Sequence, residues 1–288
     1  MGIFRRGGEP RDLSGTVVVV TGGGRGIGAA TAAAFARLGA DVWIGDVDPD
    51  VAAATAERLP RARAATLDVT DRASWAAFLD QVGEVDVLVN NAGVMPLGAF
   101  DGEDEATRDL ILDVNVRGVL NGMQAVLPQM IDRGRGHIVN IASMAGMMPL
   151  PGMVTYNASK YAALGASLAA RREYDGTGVA VCAILPAAVR TELSSGAQLG
   201  GGLPTVDPED VARAVVGTLR TRAARTSVPG WVAPGWALVE ALVPEPVEKL
   251  ARTLLRDRRA LSLDADARRD YTDRIHRQAL AHDPEADR

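Results

Sequence analysis

Residues 16–21 read Thr-Val-Val-Val-Val-Thr, an unbroken β-branched run with no polar alternation. Such a run suits a strand covered on both faces, as in a parallel sheet, because neither side of it tolerates water. It leads directly into Gly22-Gly23-Gly24-Arg25-Gly26-Ile27-Gly28, and an Ala-rich helical stretch then runs to Leu38, with Gly39 as its stop. Glycines between a buried strand and a helix allow backbone to approach a pyrophosphate, and the helix N-terminus favours its negative charge. The competing reading is a glycine-rich turn with no ligand.

The same alternation continues down the chain. Asp41–Gly45 is a second apolar strand, a helix opens at Asp48 and Pro49, and Ala64–Leu67 is a short strand. A helix around Ser74–Val82, strand Val85–Val89, one long helix from Asp104 to about Asp132, strand His137–Ala142, helix Tyr156–Tyr174, strand Val179–Leu185 and a helix from Asp207 and Pro208 follow. Strands that alternate with helices predict an α/β fold: a single Rossmann-type, doubly wound parallel sheet with helices on both faces. Beyond Pro229 the pattern changes to an apolar helix, Trp236–Val243, and two Arg-rich helices, Val247–Arg259 and Ala265–Ala281. The expected organisation is a flexible tail over residues 1–13, a Rossmann-fold dinucleotide-binding and catalytic domain over 14–228, and a helical C-terminal extension over 229–288.

Composition narrows the function classes. With 288 residues, 47% of them hydrophobic, the chain can bury one substantial core. A net charge of -5 argues against broad attraction to nucleic acid, which needs a basic surface. The lone Cys182 excludes an internal disulfide, and His137, His276 and His282 lack zinc-ligand spacing, so no metal is expected. The polar, Arg- and Gly-rich start is unlike a secretory signal, and Val228–Val243, broken by Pro229, Pro234 and Glu240, is too short to span a bilayer. A cytoplasmic protein with no transmembrane segment is the expectation.

Asp46 closes the second strand, where its carboxylate can accept hydrogen bonds from an adenosine ribose and repel an added 2′-phosphate. NAD is therefore favoured over NADP, although Asp46 can also cap the next turn and Arg25 offers a 2′-phosphate some compensation. Tyr156 and Lys160, the latter one of two lysines among 31 basic residues, are four apart on a helix and share a face. At about 4 Å and an effective dielectric near 20, their attraction is roughly 4 kcal/mol, which predicts a phenol pKa about three below its usual value before any desolvation. Ser143 follows a strand at the carboxyl edge of the sheet, placed to hydrogen-bond a substrate oxygen or to act structurally.

The glycine spacing G-x-x-x-G-x-G (Gly22, Gly26, Gly28) and the segment Tyr156-Asn157-Ala158-Ser159-Lys160 together resemble the short-chain dehydrogenase/reductase family, over about Leu13–Val228. The resemblance implies an NAD(P)-dependent oxidoreductase acting on CH–OH groups. It places Asp68 and Val69 beside the adenine and Asn90-Asn91-Ala92-Gly93 in the turn beside the cofactor. It makes Tyr156 the general acid/base, sets Lys160 on the nicotinamide ribose, gives Ser143 the substrate oxygen and assigns Asn115 to a water-linked proton path. Pro186-Ala187-Ala188-Val189-Arg190-Thr191 resembles the family's Pro-Gly-x-Val-x-Thr segment, whose valine backbone and threonine hold the carboxamide. Alanine stands here in place of its glycine, where a positive φ would strain it. Homodimers or homotetramers are implied, through the helices Asp104–Asp132 and Tyr156–Tyr174.

Met95, Met144, Met147, Met148 and Met153 fall in loops near this centre and predict an apolar, adaptable pocket for a hydrophobic secondary alcohol or ketone; filling of core gaps is the alternative. Leu193–Pro204, with Gly196 and Gly200–Gly202, reads as a mobile cover. The extension carrying Trp231 and Trp236 beside the Arg-rich helices is expected to pack on its own subunit; covering the subunit's own pocket, or contact with a membrane surface or lipid-like substrate, are the competing roles. Two other functions remain open: an NAD(H)-sensing regulator without turnover, and an epimerase or dehydratase with tightly held NAD.

Overall fold

A computed structural model of the chain describes residues 12–196, 204–244, 261 and 264–282. Most of the predicted tail, residues 197–203 of the predicted cover and the predicted helix Val247–Arg259 lie outside the described residues.

Seven strands form one parallel sheet: β1 (Val17–Thr21), β2 (Asp41–Asp46), β3 (Ala62–Thr66), β4 (Val87–Asn90), β5 (Gly136–Ile141), β6 (Val179–Pro186) and, after the short pair β7 (Ala188–Val189) and β8 (Thr205–Val206), β9 (Arg225–Val228). Their spatial order is β3-β2-β1-β4-β5-β6-β9. Every neighbouring pair runs parallel. The doubly wound sheet is therefore as expected. β9, Arg-Thr-Ser-Val, is an additional edge strand; its polar composition hides it from hydrophobic patterning.

Alternate residues of each strand feed two cores, one per face. Val18, Val20, Ile44, Val89 and Ile184 meet α1 (Gly26–Arg37), α2 (Pro49–Ala56) and α7 (Pro208–Thr221) on one side. Val19, Trp43, Leu88, Ile138 and Val181 meet α3 (Arg72–Val82), α5 (Gly118–Asp132) and α6 (Val154–Glu173) on the other. Local signals start the helices. The Asp48 carboxylate accepts from Val51 N–H ahead of Pro49, and Asp71 accepts from the N–H groups of Ala73 and Ser74.

The single helix predicted over Asp104–Asp132 is corrected. α4 (Glu105–Leu112) and α5 are separated by a π-helical turn, Asp113–Arg117, whose extra residue turns Asn115 inward. Nothing in a hydrophobic pattern marks one inserted residue. After β9, α8 (Val232–Leu242) packs Val232, Ala233 and Trp236 inward, and the Trp236 indole donates to Met147 O (3.1 Å). The last described helix, α9 (Ala265–His282), lies against α4. Among the described residues no helix is long and apolar enough to cross a membrane, and no group of three or more metal-ligating side chains occurs.

His137, on β5, is fully buried, and its Nε2 shares a 2.8 Å hydrogen bond with the Thr218 hydroxyl. Burial pushes its pKa down to about 3, so the ring is neutral. Between the usual histidine value and about 3 the unfolded chain binds a proton that the folded chain refuses, so stability falls with pH across that window. The expected slope is up to about 1.4 kcal/mol per pH unit. Urea denaturation should show a shallower acid loss for His137→Gln than for the natural protein; parallel pH profiles would refute this.

Candidate active site

The strand order reverses between β1 and β4, and the carboxyl ends of the two strands open a crevice there. It deepens into a cavity of about 460 Å³. Of the residues singled out from the sequence, Gly22, Arg25, Gly26, Ile27, Asp46, Asp68, Val69, Asn91, Ala92, Gly93, Ser143, Tyr156, Lys160, Pro186, Val189 and Thr191 all line it. Gly28 and Asn115 do not: each sits one layer behind the wall.

At the floor, the Asn91 amide donates to Thr21 O and Gly22 O, both at 2.9 Å, and ties the glycine turn to the end of β4. The turn needs its glycines for two reasons. Gly22 and Gly26 have φ of +60° and +52°, and a Cβ on Gly28 would lie 2.2 Å from Gly22 O. Asp46 is held by its own surroundings, accepting from Gly24 N–H (3.0 Å) and Asp48 N–H (3.2 Å). Asp46 thus organises the turn and also borders the cavity. Arg25 pairs with Asp48 at 3.0 Å on the rim. The Asp68 carboxylate accepts from the N–H and hydroxyl of Thr70.

Two elements bring Ser143, Tyr156 and Lys160 to the cavity. Ser143 follows β5 and caps a short turn, its hydroxyl accepting from Ala145 N–H at 3.0 Å. Tyr156 and Lys160 lie one turn apart on α6, both buried. Gly146 lets these elements touch, because a Cβ there would stand 2.6 Å from Lys160 O. Asn157 holds the rest of the loop, donating to Ala145 O (2.7 Å) and Met148 O (2.8 Å) and accepting from Leu150 N–H (3.2 Å). The Lys160 ammonium donates to Ile141 O at 3.1 Å and lies 5.7 Å from the centre of the Tyr156 ring.

The expected lowering of the Tyr156 pKa is overturned by burial. Desolvation pushes the phenol up to about 12, opposed by its hydrogen bond with Ser143, and pushes Lys160 down to about 8. The attraction expected from the four-residue spacing applies to a solvated pair at close range. In the folded chain both groups leave water, and the neutral form of each gains. Tyr156 is consequently a protonated phenol at neutral pH.

Asn115 is wholly committed to protein. Its amide oxygen accepts from Val94 N–H (2.9 Å), while its nitrogen donates to Val94 O (2.9 Å) and to the Ser159 hydroxyl (3.0 Å). It shapes the turn after β4 and braces the base of α6. Ala187 carries no strain: among the described residues the only non-glycine positive φ angles are at Arg61 and Arg222. The methionines divide. Met95, Met144 and Met153 line the cavity, whereas Met147 and Met148 pack toward α8. Leu193, from the predicted cover, lines it too.

The largest element missed from the sequence is the inner face of α9. Tyr271, Arg274, Ile275 and Gln278 line the cavity, at the i, i+3, i+4, i+7 spacing of a single helix face. The sequence marks this segment as an Arg-rich helix of an extension that could cover the pocket, but does not single out these four residues. Arg274 pairs with Glu192 at 2.5 Å, and Glu192 reaches Arg25 at 4.0 Å.

A family model described as short chain dehydrogenase matches residues 16–199. Probable oxidoreductase EphD of Mycobacterium tuberculosis is 40% identical over 214 residues, covering 71% of this chain and 36% of that protein. The chain thus matches about a third of the length of that relative. Oxidoreductase UcpA of Escherichia coli is 39% identical over 190 residues, covering 63% of this chain and 72% of that protein. A solved structure described as a short chain dehydrogenase/reductase family protein superposes with a TM-score of 0.69 at 33% identity, over 75% of this chain and 96% of that one. A short-chain type dehydrogenase/reductase from Mycobacterium marinum gives a TM-score of 0.69 at 28% identity, over 74% and 91% of the two chains.

Proposed function

Because the chain belongs to the short-chain dehydrogenase/reductase family, we propose that this oxidoreductase transfers hydride between NAD(H) and an apolar secondary alcohol or ketone. The observation that carries the reading is the convergence of Ser143, Tyr156 and Lys160 from two elements on one cavity continuous with the glycine turn and Asp46. The residues present fit a dinucleotide. The turn is a cradle that a Cβ would fill, the helix N-terminus behind it offers N–H groups to an anion, and Asp46 presents a carboxylate where a ribose diol would lie. Asn91, Ala92 and Gly93 would border its middle, and Pro186, Val189 and Thr191 its nicotinamide end. When bound, the nicotinamide supplies or accepts the hydride.

The chain's own residues handle the substrate oxygen. The Ser143 hydroxyl orients it, and the neutral Tyr156 phenol donates a proton to it in the reducing direction. The Lys160 ammonium, anchored on Ile141 O, stabilises the phenolate left behind. In the oxidising direction Tyr156 takes the proton back. The apolar walls from Met95, Met144 and Met153 exclude water from the exchange.

The test is a screen of secondary alcohols and ketones with NADH and NADPH, read by reduced-nicotinamide absorbance. Turnover is expected with bulky apolar ketones and not with charged ones. Tight NADH binding without turnover of any of them would reject the enzyme in favour of a sensor. Cofactor choice has its own test. Asp46→Ser is expected to raise the NADPH-to-NADH ratio of kcat/KM at least about tenfold, since it removes the like charge facing a 2′-phosphate. An unchanged ratio would show that Asp46 serves the turn alone.

A further inference from the structure

The cavity carries a polar group on its C-terminal wall that proton and hydride transfer leave unused. Arg268 fixes this wall. Its buried guanidinium donates to Leu193 O (3.1 Å), Ser195 O (2.7 Å) and Met95 O (2.5 Å), and it lies 4.5 Å from the centre of the Tyr271 ring. With α9 so pinned, Tyr271 is 3% exposed and borders the cavity. Its phenolic oxygen accepts from Met95 N–H at 2.7 Å. Among the described residues nothing accepts its own proton. A buried hydroxyl on a cavity-lining residue, with its donor unspent, is a place where a ligand acceptor fits.

Met95 relates this group to the reaction centre. Its side chain packs with Tyr156, Met153 and Ala145, while its backbone holds Tyr271 and Arg268. Met95 therefore touches both phenols. Of the two cations against the Tyr271 ring, Arg274 is paired with Glu192 and the nearer Arg268 donates to three backbone carbonyls, so neither is left to pair with a carboxylate. The group recognised by Tyr271 is accordingly a neutral oxygen and not a carboxylate. Burial keeps the Tyr271 proton in place, its pKa raised to about 12, so the donor persists at working pH.

Resting on the hydride-transfer reading, we propose that the Tyr271 hydroxyl is a specificity-determining donor to a second oxygen of the substrate. The preferred substrate is an apolar ketone or secondary alcohol that carries a further neutral acceptor, as in a diketone or hydroxyketone. A site built to hydrogen-bond such an oxygen discriminates against the analogue lacking it.

The test compares decalone with the matching decalindione. In Tyr271→Phe, the dione-to-monoketone ratio of kcat/KM is expected to fall at least about tenfold, mainly through KM for the dione. A purely structural role, including loss of the Met95 contact, would lower both substrates together and leave the ratio within about twofold, which overturns the proposal. A second arm needs no chemistry: calorimetric titration of decalindione into NADH-loaded Tyr156→Phe, with and without Tyr271→Phe. About tenfold weaker dione binding in the double variant is expected. Equal affinity, or no binding to either, overturns the proposal. Absence of ketone turnover by the natural protein rejects the enzyme reading separately, because the binding arm still decides Tyr271. If Tyr271→Phe does not fold, fluorotyrosine at position 271, a near-isosteric and stronger donor, is expected to tighten dione binding severalfold, and no change overturns the proposal.

Discussion

Tyr156→Phe is expected to lower kcat for ketone reduction by about a thousandfold while leaving NADH affinity within about twofold, because only the proton donor is lost. The ring stays packed against Met95, Met153 and Ala145, so the wall it forms survives. The pH dependence of the natural protein makes the assignment sharper. In the proposed reaction the proton comes from the buried pair, in which Tyr156 is raised to about 12 and Lys160 lowered to about 8. The rate should hold at neutral pH and decline as pH rises past about 8, where Lys160 loses the charge that stabilises the departing phenolate. Stopped-flow reduction rates across that range, with NADH binding measured in parallel, check both points. Turnover by Tyr156→Phe within about tenfold of the natural protein would end the acid/base assignment.

Gly28→Ala is expected to weaken NADH binding by at least about a hundredfold and to lower the melting temperature, although Gly28 does not touch the cavity. The added methyl would sit 2.2 Å from Gly22 O, 2.6 Å from the Asn91 amide nitrogen and 2.9 Å from Gly23 Cα. Two of those neighbours are backbone, which a rotamer change does not relieve. Either α1 retreats from β1 or the turn lifts, and in both cases Asn91 loses its grip on Thr21 O and Gly22 O. A backbone cradle displaced by about an ångström no longer presents its N–H groups to a phosphate. Gly217→Ala in α7 is the control. Its Cβ meets nothing within 4 Å, and alanine in an open helical site is expected to be neutral or slightly stabilising. Isothermal titration with NADH and thermal melts of the two variants separate these outcomes. Equal behaviour would show that the turn yields at no cost.

Much of this architecture was legible because its signals are local. A β-branched run, a glycine turn and an Ala-rich helix are read residue by residue, and so is the four-residue spacing of Tyr156 and Lys160. The π turn at Asp113–Arg117 and the polar edge strand β9 escaped because each is stabilised by what it packs on. The methionines show the same limit: all five fall in neighbouring loops, yet Met147 and Met148 follow α8 and leave the cavity to the others.

By itself the sequence determined the βαβ order, the glycine turn and the candidate side chains that the fold brings to one cavity, since these depend on short-range periodicity and backbone permissiveness. Tertiary structure alone decided the desolvation that shifts Tyr156 and Lys160 and which residues of α9 line the cavity. Desolvation depends on every atom that excludes water from a group, and Tyr271 reaches Met95 across 176 positions of chain. No window of sequence contains either quantity.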